Sequence, residues 1–235
     1  MSKLSNYYNA YKPLLVDLFK KTFPSHKKAL NNLDIKLQKY LNFKKGFFIE
    51  AGAYDGVSQS NTYFLEKTKR WEGILIEPIL KDFEEILLNR NSKAVNCALV
   101  DETYNDSHIV MNYAGLMTVA DNAMERTRLE EHVRNGIQLH GFEKSYKIKV
   151  RARTLSSIID QFDSPKVDFL SLDVEGAENM VLNGIDFSRH RPSFILVEER
   201  DHAKTKALME NASYKQIDQL SLHDFLYSDA NHLLQ

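Results

Sequence analysis

The stretch Phe47-Phe48-Ile49-Glu50-Ala51-Gly52-Ala53-Tyr54-Asp55-Gly56 decides the reading of this chain. An apolar run ends in a carboxylate, turns at a glycine, and meets a second carboxylate and a second glycine. That order describes a buried strand feeding a tight loop that opens a helix. In an open α/β sheet, ligands with a nucleotide-like part bind in such loops at the carboxyl ends of the strands. A pyrophosphate loop needs G-x-G-x-x-G, so that its backbone can approach the phosphates. Here Tyr54 stands where the second glycine is required, and Glu50 and Asp55 flank the turn. Two acids would repel a pyrophosphate and suit an ammonium and a sulfonium. The expected ligand is therefore S-adenosylmethionine rather than NAD.

Around this loop, strands alternate with helices in the rhythm of a mostly parallel sheet. The pattern predicts strands at Gly46–Ala51, Gly73–Glu77, Ala94–Val100, Val167–Asp173 and Ser193–Glu198. Ile109–Tyr113 and Lys147–Arg153 read as further strands, and the tail from Tyr214 supplies one or two more. Helices are expected at Ser58–Lys69 with Ser58 as N-cap, then at Leu80–Asn89, Leu155–Phe162, Gly176–Leu182 and His202–Asn211. Residues 114–147 lose the rhythm and read as an insertion with a helix near Met124–Val133. Before residue 43, two apolar helical patterns read as an N-terminal helical extension over residues 1–42, with the main domain at 43–235.

The chain has 235 residues, 43% hydrophobic and 27% charged, enough for one substantial core. A net charge of −1 gives no global field toward nucleic acid. A single cysteine, Cys97, rules out an internal disulfide. No run approaches the ~20 apolar residues of a membrane span, and the first residues lack a signal-like apolar segment. A cytoplasmic protein, with no membrane span and no nucleic-acid partner, is the expectation; a homodimer is compatible with it.

Acids close the other strands too. Glu77, 27 residues after Glu50, is placed to accept the ribose hydroxyls of a nucleoside, and Pro78 stops its strand. Cys97 and Ala98 are small enough to leave room for an adenine, although a lone cysteine in an apolar run is ordinarily a small buried hydrophobe. In Asp173-Val174-Glu175-Gly176-Ala177-Glu178, Asp173 sits at the strand end, while Glu175 and Glu178 also suit a first helical turn.

Taken together, these motifs resemble the FkbM-type family of S-adenosylmethionine-dependent methyltransferases. The matching residues are Glu50–Gly56, Ser60-Asn61-Thr62, Ile76-Glu77-Pro78, Asn96–Leu99, Leu172–Glu178 and the Pro192…Val197-Glu198 segment. The resemblance implies a class I, Rossmann-like α/β fold. Its seven-stranded, mostly parallel sheet would carry helices on both faces, with an insertion before the fourth strand. It also implies that Glu50, Gly52, Ala53, Asp55, Gly56, Ser60 and Asn61 surround the methionine part of the cofactor. Glu77, with Pro78, would hold the ribose, Cys97 and Ala98 would border the adenine, and Asp173 is expected to contact the cofactor as well. The implied reaction is O-methylation of a sugar, glycan precursor or related natural product.

A hydroxyl needs a base or a metal to become a nucleophile at neutral pH. Asp173, Glu198 and Glu199, at adjacent strand ends, form an oxygen-only set suited to Mg²⁺ or Mn²⁺. His202 is the first choice of histidine base, ahead of His108, His132 and His140, and Asp173 is the expected catalytic carboxylate. From Arg126 to Arg153 there are eight Lys or Arg against three Glu. These form either a solvated face or a site for an anionic acceptor such as a phosphorylated or nucleotide-linked sugar, with Tyr113, Met117 and Tyr146 as ring-stacking surfaces. The rival readings are an NAD-dependent oxidoreductase or epimerase, a non-catalytic cofactor-binding module, and a nucleic-acid methyltransferase. The acidic loop after the fourth strand would repel a phosphate backbone, which counts against the last.

Overall fold

A computed structural model describes residues 28–121, 123–141, 144–162, 166–199 and 201–230. The first predicted helix, near residues 4–19, lies outside the described residues. A seven-stranded sheet forms the centre. Its strands are β1 (Phe47–Ala51), β2 (Glu72–Ile76), β3 (Lys93–Val95), β8 (Phe169–Leu172), β9 (Phe194–Glu198), β10 (Tyr214–Gln219) and β11 (Asp224–Asp229). The spatial order is β10-β11-β9-β8-β1-β2-β3. β3, β2, β1, β8 and β9 run parallel, and β11 is antiparallel to both neighbours. The chain builds outward from β1 to β2 and β3, then returns to β1's other edge with β8. The carboxyl ends of β1 and β8 therefore flank the reversal of strand order, where a crevice opens.

Burial on both sides follows from the strand period of two. Phe47, Ile49 and Ala51 join Ile74, Ile76, Leu170, Leu172, Ile195 and Val197 on one face. Phe48 joins Leu75, Phe169, Phe194 and Leu196 on the other. The first face packs against α5 (Leu155–Gln161), α6 (Glu178–Asn183) and α7 (His202–Asn211) through Leu155, Ile158, Val181, Leu182 and Met209. The second packs against α1 (Leu33–Leu37), α2 (Tyr63–Lys69) and α3 (Leu80–Asn89) through Leu33, Leu37, Phe64, Leu65 and Ile86. Helices thus cover both faces, and the described part of the N-terminal segment covers core. Its expected helix is broken into a 3₁₀ turn (Leu30–Asn32) and α1, because Asn31 and Asn32 adopt left-handed backbone angles.

The expected third strand, Ala94–Val100, divides in two. Pro78 ends β2, so β3 has no partner beyond the Ile76–Val95 register. Asn96 then turns the chain by donating to the carbonyls of Glu77 (2.9 Å) and Pro78 (3.0 Å). The continuation, β4 (Ala98–Leu99), pairs instead with β7 (Tyr146–Arg153), which also pairs with β5 (His108–Tyr113); β6 (Val119–Ala120) completes this second sheet. Ile109, Met111, Ala120 and Val150 give it a small core of its own.

The insertion helix α4 (Arg126–His140) ends at Gly141, whose φ of 67° is a left-handed C-cap. It packs on the 114–118 segment at Gly136, where a Cβ would lie 2.8 Å from Ala114. His132 Nε2 lies 3.1 Å from the Met117 carbonyl, and the Leu116 amide donates to His140 (3.2 Å). Among the described residues, no helix is long and apolar enough to cross a membrane.

Candidate active site

At the crevice, the loop after β1 makes its closest approach at Gly52. Its φ is +79°, and a Cβ there would fall 1.8 Å from the Asp173 carbonyl oxygen. Only glycine lets the ends of β1 and β8 meet in this way. The loop then spends its own amides. Gly52 and Ala53 donate to the Ile76 carbonyl, Gly56 to Ala53, and Val57 and Ser58 to the Asp55 carboxylate. Tyr54 donates to Glu77 (2.9 Å). A pyrophosphate loop leaves such amides pointing at the ligand, whereas here they are consumed within the protein.

Glu50 is buried, and its two oxygens are taken by donors. Ser60 (2.9 Å) and Thr62 (2.6 Å) donate to one oxygen, and the Asn61 amide (2.8 Å) to the other. Arg90, fully buried just past α3, lies 3.7 Å from Glu50. The same guanidinium donates to the Gly56 carbonyl, Ser60, Thr62 and Glu66. Burial acts to raise the Glu66 carboxyl, but Arg90, with Ser92, Lys67 and the Asn91 amide, holds it at about 2. Arg90 thus ties the whole 55–62 loop to the sheet.

Arg90 carries no sequence signal, because an arginine at a helix end is ordinarily a surface cation. The network also displaces the expected start of the first helix. Ser58 hydrogen-bonds Asp55, Ser60 accepts from the Tyr63 amide, and α2 begins at Tyr63.

A cleft lies over the carboxyl ends of β1, β2 and β8. Of the residues expected to contact a cofactor, Glu50, Gly52, Ala53, Ser60, Asn61, Glu77, Pro78, Cys97, Ala98 and Asp173 line it. Asp55 and Gly56 lie outside the lining. The Asp55 carboxylate is spent inside its own turn. The insertion adds Met111, Gly115, Leu116, Thr118 and Ala120 to the opposite wall.

Three features of the lining are chemically distinctive. Glu77 accepts from the Tyr54 and Ile79 amides, and burial pushes its carboxyl up to about 8. Asn61 donates to Ser171 while its buried Oδ1 has no hydrogen-bond partner. Asp173 is held well above the usual carboxylate range, first by burial and then by Glu198, which is within hydrogen-bonding reach, and by Glu175. Burial likewise pushes the Cys97 thiol up to about 12, in keeping with a small buried hydrophobe at the cleft wall.

The expected metal set is not assembled. Glu199 accepts from Tyr227 (3.0 Å), with His202 2.9 Å from the same oxygen. No group of three His, Cys, Asp or Glu among the described residues could hold a metal ion. His202 is stacked on Phe225 and lines neither this cleft nor the one beside it. Its place at the start of α7 accounts for this, since the contact with Glu199 turns the ring from the strand ends. The basic residues of 126–153 scatter as well. Arg126 pairs with Glu130, Lys147 with Asp121, and Arg153 with Ser157 and Gln161. Tyr113 and Tyr146 stack on each other, and neither they nor Met117 line the cofactor cleft or the one beside it.

Residues 50–227 match the model of the FkbM methyltransferase domain. The chain belongs to this family. The methyltransferase aligns with a solved Precorrin-6y C5,15-methyltransferase from Geobacter metallireducens GS-15 at 9% identity. That match covers 88% of this chain and 94% of that one, with a TM-score of 0.37, a likeness too remote to carry an argument. No curated protein shows a significant match.

Proposed function

We propose that this methyltransferase uses S-adenosylmethionine and transfers its methyl group to a hydroxyl of a sugar, glycan precursor or related small natural product. The observation that carries the cofactor assignment is the spent loop. With the amides of Gly52, Ala53, Tyr54, Gly56, Val57 and Ser58 already paired, the turn lacks the row of free donors that a pyrophosphate needs. What the cleft offers instead are acceptors. The unpartnered Asn61 Oδ1 suits an ammonium, and Glu77 suits a pair of ribose hydroxyls. Cys97 and Ala98 leave the small wall that a purine needs. These residues fit the cofactor.

When bound, S-adenosylmethionine would supply an electrophilic methyl group. The chain's own task is to orient the acceptor and take its proton. Asp173 is the residue we assign to that proton. It lies at the end of β8, borders the cofactor cleft, and shares its field with Glu198 and Glu175. A carboxyl raised this way is a stronger base once ionised than an ordinary aspartate. His202 is set aside for the role because of its position against Glu199 and Phe225. The insertion, about residues 114–147 in a main domain of 43–235, closes one wall of the cleft and borders the second cleft, described next.

The test is transfer of labelled methyl from S-adenosylmethionine to a panel of hydroxyl, amine and carboxyl acceptors. Ether products that resist mild base support the reading. Labelled esters or N-methyl products would contradict it.

A further inference from the structure

A second cleft opens between the insertion helix α4, the 175–183 turn and helix, and the start of α7. It shares Glu175 and Met180 with the cofactor cleft, so the two are contiguous. Its wall is acidic. Asp101, Glu125, Glu131, Glu175, Glu199 and Asp201 line it, and Arg128 and Lys204 are the lining Lys and Arg among the described residues. Glu178 adds a further acid, and Asn135, Asn179, Asn183 and Thr205 add amide and hydroxyl groups beside the apolar Met124 and Met180.

Glu199 gives this cluster a direction. The residue borders the cleft and is 3% exposed. One of its oxygens takes Tyr227 and His202, while the other is buried with no hydrogen-bond partner among the described residues. A buried carboxylate oxygen left without a donor is costly, and a bound donor would relieve that cost. No three acids or histidines converge for a chelated ion.

Resting on the methyl-transfer reading above, we infer that this cleft receives the acceptor. We further infer that the acceptor is a polyhydroxylated molecule bearing a protonated amine, with the amine against Glu199. This reverses the anionic acceptor expected from the basic run 126–153. Of the cationic side chains in that run, Arg128 borders the cleft, while Arg126, Lys147 and Arg153 are engaged elsewhere. An amine would be held by a charge-assisted hydrogen bond, the hydroxyls by the asparagine amides and Thr205.

Ligand-observed NMR with D-glucosamine, D-glucose and D-glucose 6-phosphate tests this at pH 7 and low salt, with and without S-adenosylhomocysteine. The expected order is glucosamine tightest, by about tenfold over glucose, and the phosphate ester weakest. Raised salt should narrow the gap. Glu199→Gln should abolish most of the preference. Where that variant does not fold, Glu131→Gln on the exposed side of the cleft should reduce it by a smaller factor. Equal affinity for glucosamine and glucose, or tightest binding of the phosphate ester, would overturn the inference. A clear preference for glucosamine in a protein that transfers no methyl group would uphold the amine site while removing the methyl-transfer reading.

Discussion

Glu77 was legible from its position at a strand end, and the structure adds why it is suited to a ribose. Its carboxyl is fixed by the Tyr54 and Ile79 amides, and each oxygen keeps a second lone pair. Removing it in Glu77→Ala should weaken S-adenosylhomocysteine binding by about 10–100-fold, read by calorimetry, since two ribose hydrogen bonds at ~0.5–1.5 kcal/mol each are lost. A change of less than threefold would place the ribose elsewhere. Glu50 reads differently in three dimensions. Its sequence position marks the motif, but its oxygens serve Ser60, Asn61 and Thr62. Spacing alone cannot distinguish an acid that meets the ligand from one that builds the loop that meets it. The same ambiguity explains Asp55, a turn former whose charge looked functional.

The 55–62 loop is an element pinned by two buried charges, Glu50 and Arg90. Replacing Arg90 with methionine would leave Glu50 and Glu66 buried beside a thioether. It should cost about 3–5 kcal/mol in urea unfolding, the range for breaking a buried ion pair from one side. A loss below 1 kcal/mol would mean the loop stands without Arg90. The insertion is the second element with a definite mechanical role. Gly136→Val would press α4 off the 114–118 segment, because its Cβ already meets Ala114 and Met117. The expected result is weaker S-adenosylhomocysteine binding with the main sheet still folded by far-UV circular dichroism. Unchanged affinity would remove the insertion from the cofactor wall. The βα elements were legible because apolar runs of the main sheet are buried on both faces. The second sheet was not, since the break at Asn96 depends on carbonyls of Glu77 and Pro78 supplied by another strand. Arg90 was hidden for the same reason, because its partners come from distant positions.

Across the whole molecule, carboxylates shifted in opposite directions shape stability against pH. Glu77 keeps its proton in the native state up to about 8 from an ordinary value of 4.5, and Asp173 is raised as well. Between those values the unfolded chain has lost protons that the native chain retains. Stability should therefore fall as pH rises from about 5 to 8, by up to ~1.4 kcal/mol per pH unit for Glu77 alone. Glu66, held at about 2, acts oppositely, and its contribution is lost as pH falls from 4.5 toward 2. Denaturant unfolding should accordingly show greatest stability near pH 5, and a maximum above pH 8 would contradict the buried-acid account. Charge and composition describe only the net field, and the acidic second cleft was invisible to them. Its acids come from four separate parts of the chain and meet only when the insertion folds against α6 and α7. Cofactor choice is the central claim, and calorimetric titration of the purified chain with S-adenosylhomocysteine and, separately, NAD⁺ tests it most directly. The account predicts one site per chain for S-adenosylhomocysteine and no heat of binding for NAD⁺. Saturable NAD⁺ binding without S-adenosylhomocysteine binding would contradict it.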